Sequence, residues 1–176
     1  LRHGTTAFLA TTVAWHPAEL RARVRALATA IPAAEKSGAQ PLGIHLEGPW
    51  INASAAGAQP AGGVVPFDAR AGLQILDDAG EGLRMVTLAP EIEGASLLLG
   101  ELARRGVVAA LGHSLASSAS IDAARDRGLT HVTHLFNAMG RIHHREPGVA
   151  GCVMAEPGLT CDLICDGVHV DPRMVR

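Results

Sequence analysis

Hydrophobic and polar positions follow two rhythms along the chain. Short apolar runs at 5–13, 42–47, 84–89, 107–112, 131–135 and 159–170 end at glycine, proline or polar residues, and each reads as a strand. Between them the apolar residues recur at helical spacing. In the first such stretch Leu20, Val24, Leu27 and Ile31 form one stripe that can bury against a sheet, while Arg21, Arg23 and Arg25 stay in water. Further helical patterns lie near 68–78, 95–105 and 118–127, the last with Ser117 as N-cap and Gly128 as its stop. Strands and helices in strict alternation are the signature of a parallel sheet built from β-α units, so the expected class is α/β.

Two architectures share that alternation, an open doubly wound sheet and a closed barrel. Neither the G-x-G-x-x-G nor the G-x-x-x-x-G-K-[ST] phosphate fingerprint of the open-sheet folds occurs. Polar residues instead stand at the C-terminal ends of several separate strands: Glu47, His113, His134 and the 166–169 cluster. A barrel gathers strand ends around one pocket, whereas an open sheet spreads them along a line, and this favours an incomplete (β/α)8 TIM-type barrel. Residues 1–176 are expected to form a single partial barrel domain, and the Gly/Ala/Pro-rich stretch 53–66 is its longest loop.

Composition narrows the possible functions. At 176 residues and 48% hydrophobic content the chain can bury a core, which argues against disorder. A formal charge of -2 lacks the basic footprint of a nucleic-acid binder. Among the 15 cationic residues Lys36 is the sole lysine, in a polar stretch that would not desolvate its amine, so Schiff-base chemistry is disfavoured. Cys152, Cys161 and Cys165 form no C-x-x-C pair; Cys161 and Cys165 read as small buried hydrophobes, and a reducing cytoplasm fits best. No apolar run approaches the roughly 18 residues of a membrane span, and no leader pattern precedes the first strand. The chain starts on Leu1 and reads as a segment of something longer.

Candidate chemistry sits at the strand ends. Alternation puts His45 and Glu47 on one face of their strand, and Gly48-Pro49 stops it there. A carboxylate so placed is paired with an arginine, hydrated or bound to a metal; His45 reads as a hydrogen-bonded wall residue beside it. His113 and His134 could each be an ordinary core histidine. Taken with Glu47, however, two imidazoles and one carboxylate are the donors of a catalytic zinc-like centre with one position left open. No H-E-x-x-H, H-x-H or P-C-x-x-C motif offers a different metal site. The 141–148 stretch concentrates Arg141, His143, His144 and Arg145, either as a grip for phosphate or as a solvated loop. Asp166 and His169 form one more strand-end pair, which could equally just shape a turn.

Six blocks in order carry a resemblance: HLEGPW from His45, TLAPE from Thr87, GHS from Gly112, THLFNAM from Thr133, REPGVAG from Arg145 and DGVHV from Asp166. Across nearly its whole length the chain resembles the N-acetylglucosamine-6-phosphate deacetylases of the amidohydrolase superfamily. The resemblance implies one divalent metal on Glu47, His113 and His134, zinc first, with iron or another divalent ion as alternatives. It also implies substrate contacts from Ala58, Asn137, Ala138 and His169, and an Arg145 that reaches the phosphate across a homodimer interface. The implied reaction is hydrolysis of the acetamide of N-acetylglucosamine 6-phosphate to glucosamine 6-phosphate and acetate, in the cytoplasm, with neither nucleic acid nor membrane as partner.

Three departures qualify it. Gln59 stands where the family has a histidine that polarises the acetyl carbonyl; it can donate a hydrogen bond but carries no positive charge. Leu115 replaces a residue that is often polar. The catalytic aspartate of the family's last barrel strand is expected beyond Arg176, and the segment corresponds to barrel strands two to seven, so catalysis by these residues alone is expected to be impaired. Another metal-dependent amidohydrolase, such as a cyclic amidase or deaminase, and a non-catalytic sugar-phosphate-binding protein remain as alternatives.

Overall fold

The structure is a computed structural model that describes residues 2–34 and 37–175. Lys36 lies outside the described residues. Strands β1 (Ala7–Thr12), β2 (Gln40–Glu47), β3 (Leu83–Leu88), β4 (Val108–Leu111), β5 (Leu129–Val132) and β6 (Thr160–Cys161) alternate with helices α1 (Pro17–Ala30), α2 (Ala69–Ala79), α3 (Ala95–Arg105), α4 (Ser118–Arg125) and α5 (Gly148–Ala155).

All six strands are parallel and lie in the order β1-β2-β3-β4-β5-β6. Each strand neighbours the next in sequence, so the order never reverses as it does in a doubly wound sheet. Parallel crossovers are right-handed as a rule, and a run of them in one direction puts the helices on one face; the sheet curls into a partial TIM-type barrel. The strand alternation divides its two sides. Ile44, Leu46, Val86, Leu88 and Leu111 face outward into a fully buried core with Leu20 and Val24 of α1, Ile75 and Leu76 of α2, and Leu98 and Leu102 of α3. The inner face is polar, and its groups satisfy one another: His45 bonds Thr87 Oγ1 through Nε2 at 2.7 Å and Thr11 Oγ1 through Nδ1 at 3.2 Å, and Thr87 Oγ1 bonds Thr133 Oγ1 at 2.7 Å. Burial outweighs the attraction of Glu47 and lowers the pKa of His45, in keeping with a neutral wall residue.

The helices follow the stripes expected of them. Leu20 and Val24 are buried along α1 and its arginines stay outside, with Arg23 stacked 4.1 Å over the Trp15 ring. Asp68 caps α2 by accepting from Ala71 N at 2.7 Å, and Ser117 caps α4 by accepting from Ser120 N at 3.2 Å. Among the described residues no helix is long and apolar enough to cross a membrane.

Three expectations are corrected. The apolar run 131–135 leaves the sheet at Val132, because His134, Phe136 and Ala138 take φ of 37°, 80° and 52° and wind the chain into turns. The run 159–170 yields only Thr160–Cys161, and 166–169 is instead a turn built on Asp166 Oδ1, which accepts from Val168 N and His169 N. Cys161 and Cys165 are exposed rather than buried, since β6 pairs with β5 alone and nothing among the described residues packs beyond it. Helix α5 has no counterpart among the helical patterns of the sequence: it begins inside the Gly-rich REPGVAG block, and its apolar residues surround it without a polar face, so no stripe marks it.

Candidate metal centre

Glu47 is the last residue of β2, while His113 and His134 each stand two residues past the ends of β4 and β5. The barrel curl brings these three strand ends together. Glu47 Oε1 lies 3.1 Å from His113 Nε2 and 2.9 Å from His134 Nε2, and the two Nε2 atoms are 3.1 Å apart, with the rings at 88° to each other. No arginine pairs with Glu47 among the described residues; its partners are the two imidazoles.

The local backbone serves this convergence. His113 (φ 48°) and His134 (φ 37°) both occupy the left-handed region that residues with a Cβ avoid. Gly112 lets β4 pass close to its neighbours: a Cβ there would meet Thr87 Cγ2 at 2.5 Å and Thr133 Cβ at 3.2 Å. His113 Nδ1–H donates to the carbonyl of Ala55 at 3.0 Å, so Nδ1 keeps its proton and Nε2 is the nitrogen aimed at Glu47. The backbone N–H of His134 donates to Asp162 Oδ1, and Asp162 Oδ2 accepts from His131 Nε2 at 3.2 Å.

The electrostatics are those of a site built around positive charge. Burial pushes the Glu47 carboxyl up, but hydrogen bonds from His113 and His134 outweigh it and hold the group below the ordinary carboxylate range. Burial likewise pushes His134 down, yet the hydrogen bond and negative charge of Glu47 prevail and its pKa is raised. Deprotonated at Nε2, the two imidazoles join the carboxylate in offering three electron pairs to one point. Their ligand atoms all lie within 4.8 Å of one another and could hold a metal ion. The separations approach the roughly 3.3 Å edge of a tetrahedron with metal–ligand bonds of about 2.0–2.1 Å. The residues present therefore fit a divalent ion.

A cavity of about 360 Å³ opens over this cluster. Besides the three donors it is lined by Ala58, Gln59, Asn137, Ala138 and His169, with Val13, Gly57 and Ile164 completing the wall. Gln59 Oε1 accepts from Ala14 N at 2.7 Å, which leaves its NH2 group as the free donor. Asn137 follows His134 in the same turn and donates its backbone N–H to the His134 carbonyl at 2.9 Å. His169 is anchored by Asp166, whose Oδ2 accepts from Nδ1 at 2.7 Å. Backbone hydrogen bonds from His169 and Val168, then the imidazole, hold the Asp166 carboxyl at about 2. The Asp166–His169 pair thus shapes a turn and also presents His169 to the cavity.

Arg145 is placed elsewhere. It is exposed on the 141–147 loop and does not line the cavity. Leu115 is 47% exposed and stays outside as well. Larger clefts exist, one of about 590 Å³ between Asp77, Arg84 and Arg105, but the metal-donor cluster is not in them. Sequence reasoning gave no role to Ala55, Asp162 or Glu91, which hold the ligand histidines from behind; only Glu91 carried a signal, as part of the TLAPE block.

A curled parallel β-α sheet whose strand ends bring two imidazoles and one carboxylate before an open cavity defines a partial α/β barrel with a candidate metal site. Over 176 residues the chain is 41% identical to an N-acetylglucosamine-6-phosphate deacetylase of Bacillus subtilis (strain 168), covering 98% of this chain and 44% of that protein. Over 183 residues it is 37% identical to the N-acetylglucosamine-6-phosphate deacetylase of Danio rerio, covering 100% of this chain and 45% of the relative. It matches a mutant N-acetyl-D-glucosamine-6-phosphate deacetylase of Mycobacterium smegmatis, solved in complex with N-acetyl-D-glucosamine-6-phosphate, at a TM-score of 0.91 and 39% identity over 98% of this chain and 44% of that one. No family model matches the chain. The chain thus spans under half the length of the relatives it matches.

Proposed function

We propose that the chain forms the metal-holding and substrate-facing part of a deacetylase that hydrolyses the acetamide of N-acetylglucosamine 6-phosphate to glucosamine 6-phosphate and acetate. The observation that carries this reading is the convergence of Glu47, His113 and His134 within 3.1 Å of one another at the floor of a cavity lined by Gln59, Asn137, Ala138 and His169. The likeness to deacetylases, one of them solved with the phosphosugar, supplies the substrate.

Glu47, His113 and His134 would hold one divalent ion, zinc by preference for two imidazoles and a carboxylate. Such an ion supplies a polarised acetyl carbonyl and a water ionised near neutral pH. The chain's own residues do the rest. The NH2 of Gln59 donates to the carbonyl oxygen as charge develops on it, with its own oxygen pinned by Ala14 N. Asn137, the Ala138 backbone and His169 orient the sugar and its phosphate along the cavity wall. Arg145, exposed and away from the cavity, is available to a second subunit's phosphate, which fits a homodimer. The cytoplasm, where phosphorylated sugars are metabolised, is the compartment this reading assigns.

Glu47 is the sole carboxylate lining the cavity among the described residues, and as a metal donor it is not free to serve as the general acid/base. That observation, with Gln59 in place of an imidazole, also favours a second reading, a protein that binds the phosphosugar without cleaving it. The test incubates the metal-loaded protein with N-acetylglucosamine 6-phosphate and follows binding, acetate and free amine together. Acetate and amine released in equal amounts, and lost in His113→Ala, support the deacetylase. Saturable binding without release, in a chain that includes the remaining barrel strands, supports the second reading, and failure to bind overturns both.

A further inference from the structure

Behind the metal cluster lies a second carboxylate that touches none of the cavity. Glu91 follows β3 and sits between the loop after β2 and the loop after β4. Its Oε1 accepts from Asn52 Nδ2 at 2.8 Å and from Leu115 N at 2.7 Å, and its Oε2 accepts from Ser114 Oγ at 2.7 Å. One side chain thus ties three strand ends together. A surface carboxylate takes its partners from water; this one takes them from the two loops that build the surroundings of His113.

Both loops bear on that histidine. In the loop after β4, Ser114 and Leu115 follow it directly, Ser114 Oγ also accepts from Ala116 N at 3.0 Å, and Asn52 N donates to the His113 carbonyl at 3.0 Å. In the loop after β2, Asn52 Oδ1 accepts from Ser54 N at 2.9 Å and so caps the short turn Ala53–Ala55. That turn presents the Ala55 carbonyl to His113 Nδ1 at 3.0 Å. Glu91 therefore grips both the backbone that carries the imidazole and, through Asn52, the acceptor that sets its tautomer. The backbone requires it: φ of 48° at a residue with a Cβ persists only where neighbouring contacts over-determine it.

We propose that Glu91 is a positioning residue for the metal centre, holding His113 in its left-handed conformation and its Nδ1–H tautomer so that Nε2 faces Glu47. This inference rests on the metal-centre reading and deepens it, since Glu91 acts through His113. Outer partners of this kind typically change metal affinity by about 10- to 100-fold when removed.

The experiment compares the protein with Glu91→Ala, Glu91→Gln and Ser114→Ala. Two readouts are taken: the 15N-NMR shifts of the His113 ring in metal-free protein, and zinc affinity by chelator competition. Glu91→Ala is expected to move the His113 shifts towards a mixture of tautomers and to weaken zinc binding about 10- to 100-fold. Glu91→Gln, which keeps one acceptor oxygen, is expected to restore part of both, and Ser114→Ala, which removes one of the three bonds, to give a smaller change in the same direction. If Glu91→Ala does not fold, the Gln and Ser114 variants decide alone. Folded variants with the parent's His113 shifts and the parent's zinc affinity would overturn the proposal. A parent that takes up no zinc while the His113 shifts still respond to Glu91→Ala would sink the metal-centre reading and leave the clamp on His113 standing.

Discussion

His113 and His134 carry the site because each is turned out of its strand by a backbone that most residues would refuse, with φ of 48° and 37°. The cost falls on the residues around them. Gly112 has no room for a methyl group between Thr87 and Thr133, so Gly112→Ala is expected to destabilise the fold by about 1–3 kcal/mol through overpacking and to weaken metal binding by shifting His113. Urea titration and chelator competition on the same variant check both effects; an alanine tolerated on both counts would mean that β4 has slack beside the site. At this scale much was legible in the sequence. Glu47, His113 and His134 stood out as polar residues at the ends of apolar runs, and Gln59 as a departure from the family pattern in the loop after the HLEGPW block. The partners that hold them were not: the contacts of Glu91, Asp162 and the Ala55 carbonyl join residues 23 or more positions apart, and residue type alone does not announce such tertiary pairings.

The elements follow the same division. Helices α1 to α4 were readable because each has one apolar stripe and, for α2 and α4, a side-chain cap. Ser117→Ala is expected to cost about 1 kcal/mol, since its hydroxyl satisfies Ser120 N at the start of α4. Leu102→Ala, at a fully buried position of α3, is expected to cost about 2–5 kcal/mol. Denaturant midpoints at constant m-value measure both, and equal losses would show that the core term is overstated. Helix α5 carries no stripe because it is apolar all round; the apolar run 131–135 continues past the left-handed turns that end β5, and the run 159–170 continues past Cys161, where β6 stops pairing. Hydrophobicity marks burial; here the turns that end the strands are fixed by contacts remote in sequence.

On the scale of the whole molecule, the sequential order of six parallel strands is what gathers the site, and the sequence foreshadowed it only indirectly, through polar residues at successive strand ends. A belt of ion pairs laces the helices outside that sheet: Arg21 and Arg25 of α1 hold Asp78 of α2, and Arg105 of α3 holds Asp77 of α2 while sharing Glu101 with Arg104. Hydrogen bonds from Arg104 and Arg105 lower the Glu101 pKa from 4.5 to about 2, and the Arg21 hydrogen bond lowers Asp78. A carboxyl depressed in the folded state stabilises it above the unfolded value, and that contribution is lost as pH falls through the folded one. Stability is therefore expected to decline between pH 4.5 and about 2, modestly because most of the arginines in these pairs reach solvent and are screened. Glu101→Gln should flatten that decline in thermal melts at low salt; an unchanged slope would show that the acid sensitivity lies elsewhere.

The most direct measurement is a crystal of the protein grown with zinc and recorded at the zinc absorption edge. One anomalous peak is expected about 2.0–2.2 Å from Glu47 Oε1, His113 Nε2 and His134 Nε2, absent in a His113→Ala/His134→Ala variant that still folds. A fully loaded crystal with no peak between these three side chains, or with its zinc bound only elsewhere, would contradict the metal centre and the hydrolysis built on it.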